Sequence, residues 1–203
     1  MVRDLQGGQM ARDMTIFIDD DGKAYHIYAS EDNLTLHIAE LTDDYLRHTG
    51  LYVRVAMGEQ NEAPTIIKKD GVYWMITSGC TGWAPNAARL FRAKNIMGPW
   101  ERLSNPCRGD GANKTFGAQG AYIFKIEKVK EKKIFDGADY VFMADMWRPK
   151  KITDSRYLWI PIRFEDGKPT LRANLPNTYQ SSESNYSFER ERVTDQASLF
   201  TSS

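Results

Sequence analysis

Apolar and polar residues alternate along this chain in short runs, and the runs are joined by Asp-Gly pairs in a pattern that recurs three times. The first unit runs from Arg12 through Ile18, turns at Asp19-Asp20-Asp21-Gly22, and returns through Ala24 to Tyr28. The second runs from Glu62 to Ile67, turns at Asp70-Gly71, and returns through Val72 to Ile76. The third runs from Gln119 to Phe124, crosses a longer charged insert ending at Asp136-Gly137, and returns through Asp139 to Met143. Asp-Gly between two β-rich runs is a strong hairpin signal, because both residues tolerate the positive φ that a tight turn needs.

Each unit offers further strands. Leu34 to Leu41 alternates in the first, Ala88 to Ala93 precedes Gly98-Pro99-Trp100 in the second, and Tyr157 to Phe164 precedes Asp166-Gly167 in the third. The best helical segment, Thr42 to Leu46, predicts one turn at most. The polar residues that head the units, Asp13, Glu62 and Gln119, lie 49 and 57 residues apart. Three to four strands per unit at such spacing predict an all-β fold built from β-propeller blades. Three units are fewer than a propeller needs to close, so the expectation is a partial propeller over residues 12–172. Residues 1–11 form a short lead-in. Residues 173–203, with seven Ser and no sustained alternation, read as a disordered or poorly packed tail.

Charge and composition narrow the function. Lys plus Arg and Asp plus Glu are both 27, so the formal net charge is zero. That balance argues against a nucleic-acid partner and against a polybasic membrane patch. The longest apolar runs are far shorter than the ~20 residues that span a bilayer, and no signal-peptide pattern opens the chain. Cys80 and Cys107 lack metal-binding spacing; one bridge and two free buried thiols are both open. His26, His37 and His48 have no zinc spacing, and His26 and His37 read as strand residues. Asp19-Asp20-Asp21-Gly22 lacks the later ligands of a calcium loop and reads as a turn. No metal or cofactor is implied. Neither a nucleophile elbow nor a phosphate loop is present. Asn33-Leu34-Thr35, Asn113-Lys114-Thr115 and Asn185-Tyr186-Ser187 fit the glycosylation triplet, which is common by chance.

In a propeller the first strand of each blade lines the central channel, so the three heads are expected to share a pocket. Two carboxylates in one pocket are the minimum kit for glycoside hydrolysis. Asp13 would raise the pKa of Glu62 and keep it protonated, ready to donate to a leaving oxygen. The competing reading is that the heads cap strands or bond the channel backbone. Aromatic residues make up 12% of the chain, and they serve either as strand formers or as platforms for flat ligands. Trp83, in the loop Ser78-Gly79-Cys80-Thr81-Gly82-Trp83, is a candidate to stack on a sugar ring. Thr81 and Asn86 are candidates to bond sugar hydroxyls. Asp145 and Trp147, expected after a strand, stand behind them. Arg12 either holds the charge of Asp13 or is plain surface.

These motifs, in order, resemble glycoside hydrolase family 43, and within it the branch of exo-β-1,3-galactanases and related β-galactosidases. The residues that carry the resemblance are Arg12-Asp13-Met14-Thr15, Glu62-Ala63-Pro64, Ser78 to Asn86, Gly98-Pro99-Trp100, Gln119, Asp145 to Pro149, and Asp154 to Tyr157. The resemblance implies a five-bladed propeller and an inverting, exo-acting mechanism. It implies that Glu62 is the general acid, that Asp13 modulates its pKa, and that Gln119 positions the attacking water. The family's usual base, an Asp heading a blade upstream of these units, has no counterpart here. The implied partner is an oligosaccharide or polysaccharide, and the implied location of the parent family is secreted or periplasmic. Self-association through exposed blade faces is a further expectation. Two other readings stand beside this one: an inactive remnant or carbohydrate-binding fragment, and an enzyme of the same family acting on an α-L-arabinofuranoside or β-xyloside.

Overall fold

In the computed structural model, residues 5, 8–127 and 135–173 are described, and the expected tail from 174 onward lies outside them. Among them are twelve strands in three four-stranded sheets. The first holds β1 (Met14–Ile18), β2 (Ala24–Ser30), β3 (Thr35–Leu41) and β4 (His48–Val55). The second holds β5 (Asn61–Lys69), β6 (Val72–Gly79), β7 (Arg89–Ala93) and β8 (Glu101–Leu103). The third holds β9 (Gln119–Lys125), β10 (Tyr140–Met146), β11 (Arg156–Glu165) and β12 (Lys168–Leu171). Each sheet is an antiparallel meander in chain order. These are the three blades expected from the repeat.

The Asp-Gly pairs do what their backbone freedom allows. Asp70 and Gly71 (φ 51° and 74°) close the β5–β6 hairpin, and Asp166 and Gly167 (φ 49° and 70°) close β11–β12. The Asp19 to Lys23 turn is closed by the Asp19 N–H donating to the Lys23 carbonyl at 2.8 Å. Thr42 to Leu46 forms a turn, not a helix, and the chain then returns as β4. That strand escapes a reading of alternation because most of its residues face solvent.

The innermost strands β1, β5 and β9 lie side by side, with β5 in the middle. Between the first and second sheets sits the main apolar cluster, which includes Ile27, Leu36, Ile38, Ile66, Met75 and Phe91. At its edge Lys68 pairs with Asp19 at 2.6 Å, and the Tyr73 hydroxyl donates to the same carboxylate. Between the second and third sheets, Trp74 meets Phe164 edge-on at 6.2 Å.

Gly120 lets β9 close against β5. A Cβ there would lie 3.0 Å from two ring carbons of Phe142 and 3.2 Å from the Thr65 methyl. Gly120→Ala therefore crowds the Phe142 ring within the third sheet and the Thr65 methyl of the second. The expected cost is about 1–3 kcal/mol, as for other overpacked sites, read as a lower midpoint in denaturant titration. An unchanged midpoint would mean that the β5–β9 contact is looser than described.

Candidate functional site

The site forms where the heads of β1, β5 and β9 meet, and a bulge in β5 aims its central residue. The β5–β6 register breaks between Glu62 and Thr65. Pro64 has no N–H for the ladder, and Ala63 sits at φ 52°, a left-handed conformation that costs energy for a residue with a Cβ. The bulge frees the Ala63 N–H, which donates to Asp13 Oδ2 at 3.2 Å. Asp13, just before β1, thereby ties the first sheet to the backbone beside Glu62.

The half-buried Glu62 carboxyl is held from two sides. Gln119 Nε2, at the head of β9, donates to Oε1 at 3.1 Å, and Asn33 Nδ2 donates to Oε2 at 3.1 Å. Burial raises the Glu62 pKa, and the charge of Asp13 raises it further, against the pull of Gln119, Cys80 and Arg12. This carboxyl thus keeps its proton to a higher pH than an ordinary glutamate.

Gln119 is itself fixed. Its Nε2 also donates to Ser78 Oγ at 2.9 Å, and its Oε1 accepts from the Trp147 indole at 3.1 Å. Trp147 follows β10 directly and meets Trp83 edge-on with ring centres 5.8 Å apart. Trp83 is 61% exposed and Trp147 39%, so two exposed aromatic rings lie beyond Gln119. Asp145 lies inside β10, not after it, directly opposite Gln119 in the ladder. Burial raises its pKa.

Thr81 and Asn86 are engaged within their own loop. Asn86 accepts from the Gly79 N–H and donates to the Gly79 carbonyl and to Thr81 Oγ1, each at 2.8 Å. Thr81 Oγ1 donates to the Ala84 carbonyl at 2.6 Å. These bonds shape the loop that presents Trp83. Arg12 pairs with Asp32 rather than with Asp13. Cys80 and Cys107 are both free, and burial pushes the Cys107 thiol up to about 12.

Three participants escape a sequence reading: Asn33, Ser78 and Cys80. Asn33 reads only as part of a glycosylation triplet, because its partner lies in the neighbouring sheet. The histidines lie elsewhere, in the first sheet. His26 Nδ1 and His48 Nε2 are 3.0 Å apart, and His37 bonds Glu31 at 2.8 Å. Among the described residues, no group of three or more metal-ligating side chains occurs, and no helix is long and apolar enough to cross a membrane.

Comparison with known proteins points to one family. No curated protein matches the chain. Among solved structures, a family 43 β-1,3-galactosidase (BT3683) with galactodeoxynojirimycin is 60% identical, with a TM-score of 0.75, over 82% of this chain and 46% of its own. An exo-β-1,3-galactanase from Clostridium thermocellum is 35% identical, TM-score 0.70, over 81% of this chain and 34% of its own. One from Phanerochaete chrysosporium, solved with galactose, is 33% identical, TM-score 0.68, over 81% and 36%. The chain thus spans less than half the length of each of these relatives. The family model of glycosyl hydrolases family 43 matches residues 2–128, and with that match and these relatives this chain belongs to that family.

Proposed function

We propose that this chain carries the acid half of an inverting, exo-acting glycosidase that releases galactose from β-1,3-galactan or related β-galactosides. One observation carries the reading: a half-buried carboxyl, Glu62, with its pKa raised by burial and by Asp13, lies at the meeting point of three strand heads. A protonated carboxyl there can donate to a glycosidic oxygen as the C–O bond breaks. Asp13 serves twice, by its charge and by fixing the Ala63 N–H. The galactose preference rests on the relatives, which include a β-1,3-galactosidase and exo-β-1,3-galactanases.

The role of Gln119 follows from distance. Inverting sites keep their two working groups about 6.5–9.5 Å apart, to admit sugar and water. Gln119 is 3.1 Å from Glu62, so in this arrangement it braces the acid. It serves the water only by swinging away as a sugar ring enters between them, with Oε1 as the end that accepts from water. Thr81 and Asn86 act here by holding the loop of Trp83, and Trp83 and Trp147 offer the sugar its apolar platform. Asp145, one strand out from Gln119, is the remaining candidate for a sugar hydroxyl.

The test of this reading is hydrolysis of aryl β-galactoside, aryl α-L-arabinofuranoside and aryl β-xyloside side by side. Selective cleavage of the galactoside supports it, and preference for either other sugar overturns it. In the same assay, Trp83→Ala should raise KM about fivefold with kcat little changed, since a stacking platform contributes on the order of 1 kcal/mol to binding. An unchanged KM would place Trp83 outside the binding surface.

A further inference from the structure

The two amides that hold Glu62 are not equivalent. An indole N–H can only donate, so Gln119 must turn Oε1 to Trp147 and Nε2 to Glu62 Oε1 and Ser78. While Gln119 braces the acid, Glu62 Oε1 therefore faces a donor. A proton on it would set O–H against N–H, so the proton that an acid needs belongs on Oε2.

Oε2 faces Asn33, and Asn33 is free to respond. Its Nδ2 donates to Oε2 at 3.1 Å, while its Oδ1 is buried without a hydrogen-bond partner. The backbone beneath it is locked. Glu31, Asp32 and Asn33 occupy three successive left-handed positions, with φ of 50°, 59° and 66°. Glu31 takes both guanidinium contacts of Arg54 at 2.6 Å, Asp32 pairs with Arg12, and the Asn33 carbonyl accepts from the Asn61 N–H at 3.1 Å.

Resting on the reading of Glu62 as the acid, we propose that Asn33 is its positioning residue. The amide donates from Nδ2 to the ionised carboxylate, and it turns over to accept at Oδ1 the proton carried on Oε2 of the neutral acid. The observed orientation already leaves Oδ1 buried and unpaired, so turning that atom to a proton on Oε2 gives it a partner, and the protonation of Glu62 decides which end of the amide faces the carboxyl. An arriving glycosidic oxygen then replaces Asn33 as the acceptor of that proton, and the carboxylate left behind regains the Nδ2 donor. The other titratable or charged groups acting on Glu62 are Asp13, Arg12 and Cys80.

The experiment is an NMR pH titration of the full chain, following the Asn33 side-chain amide and the Glu62 carboxyl carbon. Both should move with one midpoint, and in Glu62→Gln the Asn33 signals should be flat, which excludes Asp13 and Cys80 as the source. Asn33 signals that stay flat through the Glu62 transition overturn the proposal, as do signals that still titrate in Glu62→Gln. Asn33→Gly removes the amide and suits the left-handed backbone. It should lower kcat about tenfold with less than twofold change in KM; equal loss in both would make Asn33 merely structural. Full activity of Glu62→Gln would instead overturn the reading of Glu62 as the acid, and it is told apart because the NMR coupling needs no turnover.

Discussion

Glu62→Gln should lower turnover of unactivated β-1,3-galactan by about 10²–10⁴-fold, the usual contribution of a general acid, without weakening the fold. The amide keeps the shape of the carboxyl and can still face Asn33, but it has no proton to give. Stability should hold or rise at neutral pH, and the sign follows from linkage. The folded-state pKa of Glu62 is raised above its ordinary value of 4.5, so ionising it favours the unfolded chain. That penalty is absent at low pH, where the group is protonated in both states, and it grows as pH rises past the unfolded value. Removing the carboxyl removes the penalty. For the same reason kcat/KM of the parent should fall on the alkaline side as Glu62 loses its proton, at a pH above the ordinary glutamate range, and the variant should lack that limb. Loss of activity together with a lower Tm would mean that the variant had damaged the fold rather than removed the acid.

Phe91→Ala should have the largest effect on stability. Phe91 is 2% exposed, stands opposite Met75 in the β6–β7 ladder, and belongs to the cluster that also holds Ile27 and Ile38 of the first sheet. Truncating a buried phenylalanine costs about 3–5 kcal/mol in transfer free energy and cavity, a large share of the 5–15 kcal/mol typical of a domain. At about 2–4 °C per kcal/mol for a unit of this size, Tm should fall by about 10 °C. Because Glu62 and Asp13 sit on different sheets that this cluster joins, the Glu62 pKa should also drift towards its ordinary value. A loss below 1 kcal/mol would mean that the two sheets are not held by this core.

The parts of the fold legible in the sequence were those governed by local rules. Asp70-Gly71 and Asp166-Gly167 announce hairpins because few other pairs accept two successive positive φ values. β2, β5 and β6 read as strands because they are short β-rich runs next to turn signals, and both of their faces are almost wholly buried. β4 was not legible, since Leu51 and its neighbours face solvent and carry no alternation to read. The site divides in the same way. Asp13, Glu62 and Gln119 could be grouped because each heads a strand, and repetition implied that the heads converge. Asn33 could not, since its role depends on a turn of the first sheet reaching the second. Thr81 and Asn86 look like sugar ligands by residue type, but their polar atoms bond one another and Gly79. Asp145, expected after a strand, lies within it because β10 continues past the bulge that β9 makes at Ala121.

If Glu62 delivers the proton to the leaving oxygen, its contribution must depend on how basic that oxygen is. Galactose release should be measured from β-1,3-galactan and from an aryl β-galactoside with an acidic phenol, by the chain and by Glu62→Gln. The expected result is release from both substrates by the chain, near-complete loss on galactan in the variant, and much smaller loss on the aryl galactoside, whose phenolate leaves without a proton. Equal loss on the two substrates, or undiminished release from galactan by the variant, would contradict it.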